Sequence, residues 1–265
     1  GPAGPSFPLP RRSPVWADGG MCEEAHPRAA QIAARTLQEG GNAMDAAMAG
    51  AAVMGLCEPP MTGLGGDCFA LVKLAGGDDI FGYNGSGRAP AGADAQALRD
   101  RGLTAIPPED AQAVTIPGAV EGFCRMHALW GRRDLDAVLA PAIHHMETGV
   151  PMASRVVWDY GYKAHVLGEA ARRHYLPWGR MPKPGDILRL PGQAEVLRRV
   201  AKDGALAFYE GEVAEDMVAT LKAAARSHTP AAFTPPAGTA TNTASRPAPG
   251  HARQDPARGG RSGRR

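Results

Sequence analysis

Only four cysteines occur in the 265 residues, Cys22, Cys57, Cys68 and Cys124, and no two of them stand in a CxxC spacing. Paired histidines at zinc-ligand intervals are missing as well. The cysteines therefore read as buried or free thiols in a reduced chain, not as a disulfide framework or a metal site. A long apolar run is also lacking. The longest, Ala46 to Cys57, is dominated by alanine and is too short to span a bilayer, so no membrane partner is expected. Net charge is only +2, which removes the overall electrostatic case for nucleic acid. No internal repeat is present. No secretory leader is visible, which favours the cytoplasm. The chain begins with Gly rather than Met, so a periplasmic or secreted location stays open if a leader precedes it.

What is present is one well-patterned region between two biased ends. Residues 1–12 are Gly- and Pro-rich with Arg11-Arg12 and read as an unstructured leader. Ordered patterning fills residues 13–222, and the 44 % hydrophobic content is enough for one sizeable domain or two small ones. Residues 223–265 contain seven arginines, no lysine and one acid, Asp255, with Phe233 as the only large apolar side chain. Such a segment cannot bury enough surface to offset chain entropy and is expected to be disordered. Its arginines are scattered without interleaved aromatics, which argues for a solvated tail and against a nucleic-acid or lipid binder. A shifted reading frame in a GC-rich gene, a misjoined gene, or a genuine disordered tail would each give this composition.

Within the patterned region, Pro27 is a good first-turn residue for a helix that runs through Ile32 and Leu37 to a stop at Gly40-Gly41. Asn42 can cap a second helix, with Asp45 at its third position. That helix is small-residue on nearly every face and is expected to be buried. Pro59-Pro60 ends it, and Gly63-Leu-Gly-Gly is a turn. Residues 68–74 and 80–84 read as two buried strands joined by a turn at Gly76-Gly-Asp-Asp. Helices are expected over 95–101, 119–130, 135–148, 154–167, 193–203 and 212–221. Two strands among many helices predict a mixed α/β (α+β) fold, not a bundle.

Several residues invite a functional reading and mostly resist it. His144 and His145 are adjacent, and on a helix they point about 100° apart, so they cannot chelate together. Asp45 sits at a helix start, where capping outweighs catalysis. Asp67 follows the glycine turn and is a weak candidate for lining a cavity. The Gly63–Asp67 turn resembles a phosphate cradle, but no Gly-Lys-Ser/Thr follows and a strand comes next, which excludes a P-loop.

The run Glu39-Gly-Gly-Asn-Ala-Met-Asp-Ala-Ala-Met-Ala-Gly and the run Glu58-Pro-Pro-Met-Thr-Gly-Leu-Gly-Gly-Asp-Cys-Phe resemble the opening of the large subunit of the γ-glutamyltransferase (γ-glutamyltranspeptidase, glutathione hydrolase) family. Further landmarks follow in order. They are Val114-Thr-Ile-Pro-Gly-Ala-Val-Glu-Gly-Phe, Leu139-Ala-Pro-Ala-Ile, Glu147-Thr-Gly-Val-Pro, Leu188-Arg-Leu-Pro and Ala205-Leu-Ala-Phe-Tyr-Glu-Gly. Each is weak alone; the ordered set is specific. The resemblance implies the N-terminal part of a four-layer αββα N-terminal-nucleophile hydrolase fold, incomplete in these residues. It implies a precursor cut into two subunits, with the nucleophilic threonine opening the small one and its α-amine acting as base. No Thr-Thr or Thr-x-His pair occurs in this chain, so no catalytic residue is assigned here. The partners implied are a small-molecule γ-glutamyl or other amide substrate and that small subunit. No metal or organic cofactor is implied. Gly118 and Gly122 are expected to allow close backbone approach at a strand-to-helix turn, and Gly63, Gly65 and Gly66 to do the same beneath the substrate cavity.

One departure bears on specificity. Family members carry an arginine four residues before the Ala-Pro proline, where it grips the donor's α-carboxylate. In Asn84-Gly-Ser-Gly-Arg-Ala-Pro that position is Ser86, and the arginine is Arg88. This form is similar to a less-characterised branch that includes relatives of cephalosporin acylases. If the segment is extended, residues two apart share a face at roughly 6.5–7 Å, within an arginine's reach, so Arg88 and Ser86 are the candidate substrate-binding residues. The expectation is an acyltransferase or amidohydrolase acting on glutathione or related amides. An acylase for non-glutamyl amides and a catalytically dead remnant are the alternatives.

Overall fold

The structure, a computed structural model, describes residues 15–107 and 110–226. The leader of residues 1–12 and the tail beyond 226 lie outside the described residues. Among the described residues ten α-helices and four short strands follow one another in this order: α1 Pro27–Gln38, α2 Ala43–Cys57, β1 Cys68–Lys73, β2 Ile80–Gly85, α3 Ala95–Asp100, α4 Ala119–Trp130, α5 Leu135–Thr148, β3 Val150–Pro151, α6 Ser154–Lys163, α7 Glu169–Tyr175, β4 Ile187–Leu188, α8 Pro191–Asp203, α9 Leu206–Tyr209 and α10 Glu212–Arg226.

Helix α2 is the hub. It packs on α1, α4 and α5, and α5 in turn packs on α8. Met48, Ala49, Ala52, Val53, Leu56 and Cys57 are all buried, because alanine and glycine on every face let three neighbouring helices approach. Leu56, Met146, Val138, Val156 and Leu188 complete one continuous core. The start of α2 is a capping box. Asn42 Oδ1 accepts from the Met44 and Asp45 amides at 3.0 and 3.1 Å, and Asp45 Oδ2 accepts from the Asn42 amide at 2.8 Å.

Asp45 does more than cap. It is fully buried, and its carboxylate also accepts the backbone N–H groups of Arg132 (3.0 Å) and Arg133 (3.3 Å), in the loop between α4 and α5. Asn42 Nδ2 donates to Trp130 O at 2.6 Å in the same corner. His127 Nε2 lies 2.8 Å from Arg133 O and 3.7 Å from Asp45 Oδ1. The α1–α2 elbow is thus fastened to the α4–α5 loop by side chains that are distant in sequence.

Two expectations about elements need correction, and one short ladder was not foreseen. The helix read over 154–167 stops at Lys163 and tightens into a 3-10 turn over Ala164–Val166. Arg172 of α7 takes the freed carbonyls, donating to Ala164 O at 3.0 Å and Leu167 O at 2.9 Å. Helix α10 runs past Leu221 to Arg226, so the boundary placed at 222 falls inside a helix. Ala223-Ala-Ala-Arg is helix-favouring and simply continues the turn. The two-stranded β3–β4 ladder, pairing Val150 with Leu188 and Pro151 with Ile187, is too short to show a period in sequence.

The strands β1 and β2 pair antiparallel, from Cys68 opposite Gly85 to Lys73 opposite Ile80. They are not buried on both sides. Cys68 and Tyr83 pack with Ala119 and Met126 of α4, whereas Phe69, Leu71 and Ile80 are 68, 81 and 65 % exposed. A run of apolar residues reads as a buried strand whether or not anything covers its second face. We expect Leu71→Lys with Ile80→Lys to shift stability by less than about 0.5 kcal/mol, since both side chains are largely exposed. The pair should lower light scattering of the concentrated chain, because an open apolar sheet face promotes association. A melt several degrees below the parent would show that these residues are packed after all.

Candidate substrate-binding site

Three landmark segments that are separate in sequence meet beside the hairpin. Gly118 and Ala119, at the start of α4, both donate their N–H groups to Gly66 O, at 3.0 and 2.9 Å. The Ile116 amide donates to Arg88 O at 2.9 Å. The Gly87 amide donates to Asp67 Oδ1 at 2.8 Å. The glycine turn, the Ser86–Arg88 segment and the 115–119 segment are therefore joined by hydrogen bonds.

The glycines explain how the backbones come so close. A Cβ on Gly87 would lie 2.1 Å from Ile116 O, and one on Gly118 would lie 2.1 Å from Gly85 O. A Cβ on Gly122 would strike Cys68 Sγ at 2.2 Å, which lets α4 sit directly on β1. Close approach is thus required at Gly118 and Gly122, as expected, although the segment before α4 is a loop, not a strand. At Gly63 and Gly65 a Cβ would meet none of the described residues within 4 Å, and at Gly66 it would meet Gly63 O at 3.4 Å. What that turn contributes is the Gly66 carbonyl.

Helix α4 begins without a side-chain cap at Gly118. Its first amides are satisfied from outside: those of Gly118 and Ala119 by Gly66 O, and that of Glu121 by the Tyr209 hydroxyl at 3.0 Å. Tyr209 also donates to Pro117 O at 2.7 Å, and Tyr83 donates to Glu121 Oε2 at 2.8 Å. These two tyrosines are supporting residues that the sequence reading missed. Tyr209 lay in a quoted landmark, yet nothing in its neighbourhood announced a partner 88 to 92 residues away. Burial first, and the Glu121 hydrogen bond second, push the Tyr83 phenol above its usual range, so it stays a donor.

Ser86 and Arg88 flank the anchored Gly87, and both are exposed. Regular pairing in β2 stops at Gly85, and Asn84 Oδ1 accepts from the Ser86 amide at 3.0 Å, which turns the chain there. Asp67 is exposed too and joins the segment through its carboxylate. The other candidates stand elsewhere. Asp45 is the buried cap described above. His144 and His145 lie together on α5 with ring centroids 5.3 Å apart. Burial lowers the His145 pKa, reinforced by Arg28 and His144. Among the described residues no cluster of three or more His, Cys, Asp or Glu could hold a metal ion. Burial disfavours the thiolate form of the cysteines. Burial pushes Cys57 up to about 12 and Cys68 and Cys124 up to about 11.

Solved structures place this arrangement in a class. The chain superimposes on gamma-glutamyltranspeptidase from Helicobacter pylori with a TM-score of 0.74 at 27 % identity, over 78 % of this chain and 61 % of that one. It superimposes on a cephalosporin acylase from Bacillus halodurans with a TM-score of 0.73 at 33 % identity, over 84 % of this chain and 42 % of that one. The described residues thus form part of an α/β N-terminal-nucleophile hydrolase fold. The glutathione hydrolase proenzyme of Bacillus subtilis (strain 168) is 33 % identical over 210 residues, which is 77 % of this chain and 35 % of that relative's length. The family model described as gamma-glutamyltranspeptidase matches residues 29–229, and the chain belongs to this family.

Proposed function

We propose that this chain is the large-subunit part of a γ-glutamyltransferase-like acyltransferase or amidohydrolase acting on glutathione or related γ-glutamyl amides. The observation that carries the reading is the Ser86–Arg88 pair. It is exposed, yet held at its centre by the Gly87 amide bond to Asp67 and by the Arg88 carbonyl bond to Ile116. In this reading Arg88 supplies the charge that meets a donor carboxylate, where a guanidinium can make two parallel hydrogen bonds. The threonine nucleophile, its α-amine and the oxyanion donors come from a small subunit. Supporting the partner is the open apolar face at Phe69, Leu71 and Ile80, which is what a sheet leaves bare when the layer that packs on it belongs to a second subunit.

The 265-residue chain by itself should then show neither self-cleavage nor hydrolysis of γ-glutamyl-p-nitroanilide. A processed band on a gel, or turnover that purifies with the chain, would sink this division of labour. A second reading, an acylase for non-glutamyl amides, is favoured by one specific feature. Ser86 stands where the resemblance places the carboxylate-gripping arginine, and the likeness to a cephalosporin acylase points the same way. Comparing donors with and without an α-carboxylate separates the two readings.

A further inference from the structure

Asp67 joins two of the three segments through its side chain. The other hydrogen bonds named between these segments run from backbone to backbone. Gly66 O receives the Gly118 and Ala119 amides, and Arg88 O receives the Ile116 amide. Asp67 Oδ1 reaches across to the Gly87 amide, 20 residues along the chain, at 2.8 Å. Its place in the chain makes the bond effective. Asp67 directly follows Gly66, whose carbonyl is already pinned by α4, so the carboxylate projects from a held point. Gly87, on the other side, lies so flat against residues 115–116 that a Cβ would meet Ile116 O at 2.1 Å and Thr115 Oγ1 at 2.8 Å. The bond therefore fixes the midpoint between Ser86 and Arg88, beyond the point at Gly85 where β2 ceases to hold the chain.

From this geometry we infer that Asp67 is the positioning residue of the Ser86–Arg88 segment, setting how those two side chains are presented to a donor. The substrate part of this inference rests on the function proposed above; the anchoring part does not. Without the Asp67 acceptor, the Gly87 amide loses its partner and the segment opens more often at that point. Arg88 is then presented less uniformly although its own chemistry is unchanged. Asparagine at 67 retains an oxygen acceptor of the same reach, whereas alanine retains none.

The test uses the full chain with Asp67→Ala and Asp67→Asn. Two local readouts report the segment: hydrogen exchange of the Gly87 amide, and trypsin cleavage after Arg88 relative to cleavage after Arg101 in the turn following α3. In Asp67→Ala, Gly87 exchange and the Arg88-to-Arg101 cleavage ratio should both rise about 3- to 10-fold, the range of one modest hydrogen bond. Asp67→Asn should remain close to the parent. Unchanged Gly87 exchange in the alanine variant overturns the anchoring role. If the alanine variant fails to fold, an asparagine variant with the parent's exchange and cleavage pattern supports the inference, and one with a loosened segment overturns it. In the enzyme assembled with its threonine-bearing part, Asp67→Ala should act on KM for a γ-glutamyl donor more than on kcat, with asparagine restoring KM. A loosened segment with an unchanged KM would remove Ser86–Arg88 from substrate binding, and with it the function proposed above, while leaving the anchor itself in place.

Discussion

If Arg88 meets the donor carboxylate as proposed, Arg88→Ala in the assembled enzyme should raise KM for a γ-glutamyl donor by about 10- to 150-fold, the equivalent of a lost charge-assisted pair of roughly 1.5–3 kcal/mol. An acyl donor without the α-carboxylate never makes that contact, so its KM should move much less. Ser86→Arg in the alanine background restores an arginine four residues before Pro90 and should recover the preference for γ-glutamyl donors. Steady-state kinetics on one donor of each kind decide the matter. Equal effects on both would mean that Arg88 supports the local fold and not the substrate, and the acylase reading would gain.

Asp45→Ala should be the most damaging single change in the helical part. Asp45 is fully buried, and the amides of Asn42, Arg132 and Arg133 all donate to its carboxylate. Alanine leaves three donors without that acceptor where water has poor access. The expected loss is about 2–4 kcal/mol, or roughly 5–15 °C in the melting temperature. Asp45→Asn keeps one oxygen acceptor and should fall between. The effect should also be shared between two places, fraying the start of α2 and freeing the loop after Trp130. Hydrogen exchange would show protection lost at both. A melt indistinguishable from the parent would mean that the capping box and the α4–α5 loop are held by other contacts.

Much of the helical framework was legible in sequence because its signals are local. Pro27 in the first turn and Gly40-Gly41 at the end bounded α1 to within a residue, and α4 and α5 fall over the expected 119–130 and 135–148. Asn42 and Asp45 declared their cap through a spacing of three, and the alanine-rich composition of α2 declared its burial. The candidate site was legible only as pieces. Ser86, Arg88, Asp67 and Gly118 were each singled out, but the bonds that join their segments span 20 to 53 residues and leave no periodic trace. Gly63 and Gly65 drew the eye through composition, yet a Cβ at either would meet none of the described residues within 4 Å.

What the sequence determined by itself, then, was the family, the order of its elements and the local chemistry of each turn and cap, since these depend on neighbours a few residues apart. Tertiary structure alone decided the rest. It bound Asp67 to Gly87, sent the Tyr209 hydroxyl to the uncapped start of α4, and gave Asp45 a second set of donors in a distant loop. It also left Leu71 and Ile80 exposed on a hairpin whose composition suits a buried sheet. The physical reason is common to all four. Each depends on which backbone or surface lies opposite, and packing of the whole chain, not local propensity, sets what that is.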